Sequence, residues 1–310
     1  METGYSFLYI LSSIIGVIFV FLFAVEKFSG QIQRIAGDRF KDIVQRLTST
    51  PFKGTVIGTV ITAIMQSSTA TTVMAISLVQ AGVMPFANSL GIIFGANIGT
   101  TITTQLIAFQ LLEIAPFILV IGFILMKLKS KYQHLGKPVF YFGLIFSSLF
   151  IISVLVEPFK DNPVLIAILA KSSGIFLSIL IGFVLVTLFQ ASALVTGMVV
   201  IMSAAGLLGF EQAFAIVLGA NIGSTTTALI AASVMDKNAK RAAMAHFMFN
   251  VLGVLIVLPF LKPFTIWMES MSQSIGVQVA LAHLMFNMVS AILALIFVRQ
   301  FERLILRLVK

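Results

Sequence analysis

Long apolar runs, separated by short polar or charged segments, fill most of this chain. Runs with few or no charged residues occur at 5–25, 54–109, 114–126, 137–156, 172–235, 242–261 and 275–298. A helix needs about 20 apolar residues to span the hydrocarbon of a bilayer. Most of the runs reach that length, although 114–126 needs residues from its flanks. The pattern therefore predicts an all-α polytopic membrane protein. The run 5–25 lacks a basic start and a small-residue cleavage site, so we expect a retained helix rather than a signal peptide.

Composition supports the membrane class. The chain is 59% hydrophobic and 10% charged, whereas a soluble globular protein carries about 25% charged residues. It has no cysteine, which excludes disulfides and thiolate metal sites. We expect no cofactor and no transition metal.

Two of the apolar runs are copies of each other. Residues 66–69 read Gln-Ser-Ser-Thr and residues 95–101 read Gly-Ala-Asn-Ile-Gly-Thr-Thr. With no gap, 124 positions later, residues 190–193 read Gln-Ala-Ser-Ala and residues 219–225 read Gly-Ala-Asn-Ile-Gly-Ser-Thr. A gapless match of this length indicates an internal duplication, which determines the architecture.

Each copy is too long for one span and is interrupted by glycine, proline and polar residues. We interpret 54–82 as a re-entrant helical hairpin with residues 66–69 at its tip, followed by a crossing at 86–109 that unwinds near Gly95–Gly99. Such non-helical backbone is tolerated at membrane depth only where it faces protein or a watery cavity. The second copy is expected to repeat both features. Three ordinary crossings per copy are the alternative. Because three is also an odd number, the two copies would still be inverted relative to each other.

The basic residues fall on alternate connections, which is the positive-inside pattern of membrane proteins rather than a polyanion-binding surface. We therefore expect no nucleic-acid partner. The four basic segments contain Lys27, Arg34, Arg39, Lys41, Arg46 and Lys53; Lys127, Lys129, Lys131 and Lys137; Lys237, Lys240 and Arg241; and Arg299, Arg303, Arg307 and Lys310.

Placing these segments in the cytoplasm fixes the orientation of the copies. The N-terminus is then outside, the C-terminus is cytoplasmic, and the two copies enter the membrane from opposite faces. An inverted repeat of this kind is typical of secondary transporters. The predicted organisation is an N-terminal helix with a basic segment at 1–53, a first inverted repeat at 54–156, and a second at 157–310 that includes the final helices.

The hairpin tips have the chemistry of an anion site. A short helix starting at Ser67 or Ser68 directs unpaired N–H groups and the positive end of its dipole at the space beyond it. Hydroxyls and the glutamine amide add further donors and acceptors. Two such tips meeting at mid-membrane would bind an anion without any Lys or Arg. Alternatively, the Ser and Thr side chains only connect neighbouring helices.

The Gly-Ala-Asn-Ile-Gly motifs favour a hard cation such as Na⁺, which prefers oxygen ligands. An unwound turn would expose carbonyl oxygens, and Asn97, Thr100 and Thr103 would add side-chain oxygens; Ser224 and Thr227 share a helical face in the second copy. A glycine-rich packing seam is the alternative. The phosphate-loop pattern of nucleotide-binding proteins is absent.

Three rival functions have weaker support. Proton coupling needs a buried carboxylate or histidine, and the candidates are Glu211, His246 and His283; we interpret both histidines as hydrogen-bonded helix contacts. An intramembrane enzyme needs an activated nucleophile, which the repeated motifs do not supply. A channel is the third rival, and saturable flux that depends on the sodium gradient would exclude it.

With these motifs, the chain resembles the sodium–phosphate cotransporter family, the bacterial relatives of the animal type II sodium-dependent phosphate transporters. The resemblance covers roughly 10–300. It implies uptake of inorganic phosphate with Na⁺ by alternating access, hairpin tips that contact phosphate and sodium, and sodium binding after the second Asn-Ile-Gly. Ala191 and Ala193 replace serines that the family favours. Another oxyanion, such as sulfate, arsenate or a small carboxylate, remains an alternative substrate.

Two sets of residues follow as predicted ligands. The phosphate set is Gln66, Ser67, Ser68, Thr69, Asn97, Gln190, Ser192 and Asn221. The sodium set is Gln66, Asn97, Thr100, Thr103, Gln190, Asn221, Ser224, Thr225 and Thr227. Further expectations are an inner (plasma) membrane location, contact with membrane lipid, and no enzymatic activity. A homodimer is left open.

Overall fold

The computed structural model describes residues 7–109, 111–129, 131–171 and 174–310, except for the side chains of 7, 36–41, 45, 46 and 170. The N-terminal residues 1–6 and the basic side chains of Arg39, Lys41 and Arg46 thus lie outside the described part. Within it, every regular element is helical: besides short 3₁₀ helices at Glu157–Phe159 and Leu258–Phe260, the chain forms α-helices. These are α1 Phe7–Leu47, α2 Pro51–Met65, α3 Ser68–Gln80, α4 Phe86–Ala108, α5 Leu111–Lys127, α6 Gln133–Val156, α7 Pro163–Lys171, α8 Ile175–Phe189, α9 Ser192–Ala204, α10 Phe210–Gly223, α11 Thr226–Ala232, α12 Lys237–Val257, α13 Leu261–Met271, α14 Ile275–Ile296 and α15 Val298–Leu308.

Six stretches of the described chain are long and apolar enough to cross a membrane. They are Leu8–Ile35, Phe86–Ala108, Gln133–Phe159, Phe210–Ala232, Lys237–Met271 and Ile275–Ile296. The predicted class, an all-α multi-pass membrane protein, is confirmed. The predicted boundary at 53/54 falls inside α2, which begins at Pro51 with Thr50 as its cap. The boundary at 156/157 coincides with the end of α6.

Both predicted hairpins are present. Helices α2 and α3 contain 15 and 13 residues, too few to span a bilayer that needs about 20. Helices α8 and α9 have the same lengths, and each of their four bounds lies 124 positions after its counterpart. The turn residues Gln66 and Gln190 also share one left-handed conformation, with φ 52° and ψ 28°. The duplication seen in the sequence is therefore a duplication of local structure.

The predicted unwinding at Gly95–Gly99 is wrong, because α4 is continuous from Phe86 to Ala108. The motif glycines instead bring two helices into close contact. A Cβ atom at Gly95 would lie 2.0 Å from the carbonyl oxygen of Thr55, and one at Gly219 would lie 1.8 Å from that of Ile179. No side chain fits at such distances, so glycine allows α4 to pack against α2 and α10 against α8.

The second copy does contain a broken crossing, just after its motif. Helix α10 ends at Gly223 and α11 begins at Thr226. Three successive hydroxyls, of Ser224, Thr225 and Thr226, donate to carbonyl oxygens three residues earlier, each at 2.7 Å. Hydroxyls that bond to nearby carbonyls compete with helix continuation and bend helices. In the first copy Thr100 donates four residues back. Thr101 donates three residues back, to Ile98, within the continuous α4, so a single bond of this kind does not break a helix.

The remaining long helices surround the repeats. Helix α14 packs against α4, α9 and α10, and α12 packs against α3 and α4. Aromatic stacking supports this core, with ring centroids of Phe94 and Phe249 5.0 Å apart. Helix α1 packs against α6 and α2. It continues well past the predicted span 5–25, so the start of the basic segment is helical.

Candidate functional site

A small polar cavity lies where the two hairpin tips meet. Its volume is about 40 Å³, room for roughly three waters at ~10–15 Å³ each, which suits a small ion rather than an organic metabolite. Both copies contribute to its lining. The lining residues are Val25, Gln66, Ser67, Ser68, Thr69, Thr100, Thr103, Val186, Gln190, Ala191, Ser192, Ala193, Ser224 and Thr227.

No charged side chain is among the lining residues. The electrostatics of the cavity therefore come from dipoles: α3 begins at Ser68 and α9 at Ser192, and both helix starts line the cavity. The first N–H groups of a helix have no partner within it, and the helix N-terminus carries roughly half a positive charge. Two such termini facing one small space form an anion site.

The two tips are capped differently. In the first, the hydroxyl of Ser67 accepts a hydrogen bond from the backbone N–H of Ala70 at 3.2 Å. In the second, the equivalent residue is Ala191, and α9 has no side-chain cap. The missing hydroxyl therefore removes one side-chain donor but leaves an additional backbone N–H without a cap at the second tip.

The first tip is connected to the long helix beside it. The hydroxyl of Thr103 on α4 donates to Oε1 of Gln66 at 2.5 Å, and Nε2 of Gln66 donates to the carbonyl oxygen of Ala63 at 2.6 Å. Across the hairpin, the hydroxyl of Thr62 donates to that of Thr71 at 2.9 Å. The tip is thus held by side chains on both sides of the turn.

Hydroxyl oxygens form the other wall of the cavity. Those of Thr100 and Ser224 donate to backbone carbonyls of Ala96 and Asn221. A hydroxyl that donates its proton in this way still has oxygen lone pairs to offer. Together with Thr103 and Thr227, these side chains give the cavity oxygen ligands from both copies, of the kind that hard cations bind.

Three predicted ligands do not line the cavity. Asn97 is buried and donates from Nδ2 to the carbonyl oxygen of Ile93 at 2.8 Å. Asn221 is buried behind the cavity, where its Oδ1 lies 3.1 Å from Nε2 of His283. Thr225 is fully buried and donates to the carbonyl oxygen of Ile222. These three side chains lie outside the cavity lining, whereas the tip residues and Thr100, Thr103, Ser224 and Thr227 come together.

Sequence reasoning missed part of the lining and misjudged one histidine. Val25 of α1 and Val186 of α8 line the cavity, and no motif marks these apolar residues. His283 makes the predicted side-chain hydrogen bonds. His246 does not: it is buried, and neither ring nitrogen has a hydrogen-bond partner among the described residues.

Comparison with known proteins gives consistent matches. The sequence model of the Na+/Pi-cotransporter family matches residues 20–154 and 163–303. The chain is 34% identical to the uncharacterized protein YqeW of Bacillus subtilis, over 85% of this chain and 86% of that protein. It is 30% identical to the putative inorganic phosphate export protein YjbB of Escherichia coli K12, over 74% of this chain but only 43% of YjbB.

An animal relative matches over a shorter stretch. The sodium-dependent phosphate transport protein 2A of Rattus norvegicus is 33% identical over 30% of this chain and 15% of its own length. No solved structure matches. Because the family model covers most of both halves, the chain belongs to the Na+/Pi-cotransporter family, a family of membrane transporters and not of enzymes.

Proposed function

We propose that the protein is a secondary transporter that moves inorganic phosphate together with Na⁺ by alternating access. One observation carries this proposal: the tips of two duplicated hairpins, each the start of a helix, line a single polar cavity, and none of the described residues that line it is charged. The phosphate transport named for the relatives YjbB and protein 2A supports the substrate.

Phosphate binds at the two tips. Its oxygens accept hydrogen bonds from the backbone N–H groups at the starts of α3 and α9 and from the hydroxyls of Ser67, Ser68, Thr69 and Ser192. The amides of Gln66 and Gln190 complete the donor set. Fixed dipoles of this kind bind an anion without an Arg or Lys side chain.

Sodium binds beside the phosphate, at the hydroxyl wall. Thr100 and Thr103 from the first copy and Ser224 and Thr227 from the second supply neutral oxygens, and Oε1 of Gln66 adds another. The contact between Thr103 and Gln66 joins the two sets of ligands. A bound cation offsets the charge of phosphate, so each ion favours binding of the other.

A second cavity provides a route to the site. Its volume is about 420 Å³, and it is lined by Ile107 of α4 and Val200 of α9 among others. Both helices run from this cavity to the polar one, where Thr103 and Ser192 lie. Between the cavities, Gly197 packs so closely that a Cβ atom there would lie 2.9 Å from Cδ1 of Ile107. One apolar layer thus separates the two spaces.

This layer acts as a gate in alternating access. In the orientation given by the basic segments, the larger cavity opens outside, because it lies at the C-terminal end of α4 and the N-terminal end of α14. The two copies then have inverted topology, and rocking of one copy against the other exposes the polar cavity to each side in turn. The bacterial inner membrane is the proposed location.

The site bears differently on another substrate, on proton coupling and on the direction of transport. Another tetrahedral oxyanion would meet the same donors as phosphate. Proton coupling is disfavoured because neither His246 nor His283 lines the cavity, and Glu211 is exposed at the start of α10. The direction of net transport is set by the gradients; import follows from an inward sodium gradient, whereas YjbB is named as an exporter.

The test is uptake of ³²P-phosphate into proteoliposomes that contain the purified protein. We expect concentrative uptake under an inward Na⁺ gradient and none under equal K⁺ or proton gradients. Uptake driven equally well by a proton gradient would overturn the coupling, and preferential inhibition by sulfate over arsenate would overturn the substrate. An outward Na⁺ gradient with preloaded phosphate measures the export direction in the same vesicles.

A further inference from the structure

One imidazole connects the two copies directly behind the polar cavity. His283, in the middle of α14, is fully buried. Its Nδ1 lies 3.1 Å from the hydroxyl oxygen of Thr104 on α4, and its Nε2 lies 3.1 Å from Oδ1 of Asn221 on α10. A neutral imidazole has one donor and one acceptor nitrogen. It can therefore donate to the amide oxygen and accept from the hydroxyl, with both partners satisfied.

Each end of this connection is next to a residue that lines the cavity. Thr104 follows Thr103, whose hydroxyl donates to the tip residue Gln66. Asn221 offers its backbone carbonyl to the hydroxyl of Ser224, the first residue after α10. A displacement of His283 would thus move one proposed cation ligand in each copy. Thr103 is the residue next to Thr104, and Ser224 is bonded to Asn221 one helical turn away.

The second copy has the greater need of such support. Its crossing is broken after Gly223. The backbone N–H of Ser224 still donates four residues back, to Ala220, but that of Thr225 donates three residues back, to Ile222. Nδ2 of Asn221 has no partner among the described residues. The contact from His283 is therefore the side-chain hydrogen bond that fixes Asn221, and with it the end of α10.

We infer that His283 is a positioning residue for the sodium ligands. It holds the end of α10 at a fixed distance from α4, so that Thr103 of the first copy and Ser224 of the second keep the spacing that a cation requires. It does not touch the ions itself, because it does not line the cavity. This inference rests on the proposed function, since it assumes that the hydroxyl wall binds Na⁺.

Two residues provide matched controls. His246 lies in a nearly identical stretch of α12 and is equally buried, but its ring has no hydrogen-bond partner among the described residues. Gln105 joins the same pair of helices as His283, through a hydrogen bond of 2.7 Å from its Nε2 to the carbonyl oxygen of Ala280 on α14. Its loss weakens the contact between α4 and α14 without releasing Asn221.

The experiment compares His283→Leu, His283→Gln, His246→Leu and Gln105→Met in proteoliposomes, with the KM for Na⁺ and the KM for phosphate at saturating Na⁺ measured separately. We expect His283→Leu to raise the KM for Na⁺ about tenfold, the effect of losing one well-placed hydrogen bond. The KM for phosphate should change less than about twofold. His283→Gln keeps an amide near the position of Nε2 and should restore most of the Na⁺ affinity, and both control variants should leave it unchanged.

A second readout does not need transport. Binding of Na⁺ to the folded state raises the melting temperature, and tighter binding raises it further at a given concentration. We expect NaCl to stabilise the purified wild type more than KCl does, and His283→Leu to lose this difference. If the wild type shows no Na⁺ effect in either assay, the proposed function fails. If the wild type responds and His283→Leu responds equally, the role of His283 is refuted. Should His283→Leu not fold, Thr104→Val removes only the hydroxyl partner and must shift the Na⁺ dependence in the same direction.

Discussion

The left-handed glutamine at each hairpin tip makes a prediction that separates stability from function. Gln190 ends α8 with φ 52° and ψ 28°, a conformation that costs a residue with a Cβ atom about 1–2 kcal/mol. Glycine adopts it freely, and helices commonly end in glycine for this reason. A glutamine at this position, in both copies, therefore stores strain that the fold alone does not require.

The magnitude follows from two opposing effects. Gln190→Gly removes about 1–2 kcal/mol of strain and adds about 0.5–1 kcal/mol of unfolded-state entropy. Gln190→Ala keeps the strain. The glycine variant should thus be more stable than the alanine variant by about 0.5–1 kcal/mol, a difference of roughly 1–2 °C in the melting temperature of a chain of this length. Both variants lose the amide, so both should lose about 10–100-fold in phosphate uptake, because a hydrogen bond to a charged ligand contributes ~1.5–3 kcal/mol.

The assay pairs thermal unfolding in detergent with uptake in proteoliposomes. Ala81→Gly serves as the control, since Ala81 ends α3 in the right-handed region with φ −71°; there glycine has no strain to relieve and should only destabilise. Equal stability of the glycine and alanine variants at 190 would refute the strain argument. Uptake by Gln190→Gly within twofold of wild type would refute the assignment of Gln190 as a ligand.

Three further predictions concern packing, the gate and capping. Gly219→Ala should prevent stable folding, because its Cβ would lie 1.8 Å from a backbone carbonyl oxygen. Gly16→Ala, with nothing within 4 Å of its Cβ, should be neutral. The yield of folded protein after detergent extraction measures both. The chain has no cysteine, so Ser192→Cys places a single reporter thiol at the polar cavity. Ile107→Ala should increase the rate at which a membrane-impermeant thiol reagent modifies this cysteine. An unchanged rate would argue against the gate. Ala191→Ser should cap α9 and raise unfolding stability by about 1 kcal/mol; no gain in melting temperature would contradict it.

The hairpins could be predicted because their signals are local. Apolar segments interrupted by Gln-Ser-Ser-Thr favour a hairpin with that motif at its turn over three ordinary crossings, and the second copy repeats the spacing. The start of α3 at Ser68, with Ser67 as its cap, follows from ordinary capping preferences.

The break in the crossing helix could not be placed from the motif alone. Glycine both disrupts helices and allows close packing, and the two roles look the same in sequence. In α4 the packing role applies at Gly95. The break in the second copy lies among three hydroxyls that donate three residues back, but Thr101 makes the same bond inside the continuous α4, so the hydroxyl pattern alone does not fix its place.

The site was predictable as a set of segments but not residue by residue. The tips and the hydroxyls of Thr100 and Ser224 do line one cavity. Asn97 and Asn221 lie next to these residues in sequence yet are buried in helix contacts. The role proposed for His283 depends on partners 179 and 62 positions away in the sequence. His246 lies in a nearly identical sequence stretch, but its ring makes no such hydrogen bonds among the described residues. Contacts between residues so far apart in the sequence arise from the tertiary fold and have no local sequence motif.

The most direct test of the account is calorimetric binding of phosphate to the purified protein, with and without Na⁺, for the wild type, Ser68→Ala and Ser192→Ala. If both tips hold one phosphate together with sodium, binding by the wild type requires Na⁺ and each single substitution weakens it about tenfold or more. Phosphate binding that is independent of Na⁺, or that survives the loss of either tip serine unchanged, would contradict a shared site between the two copies.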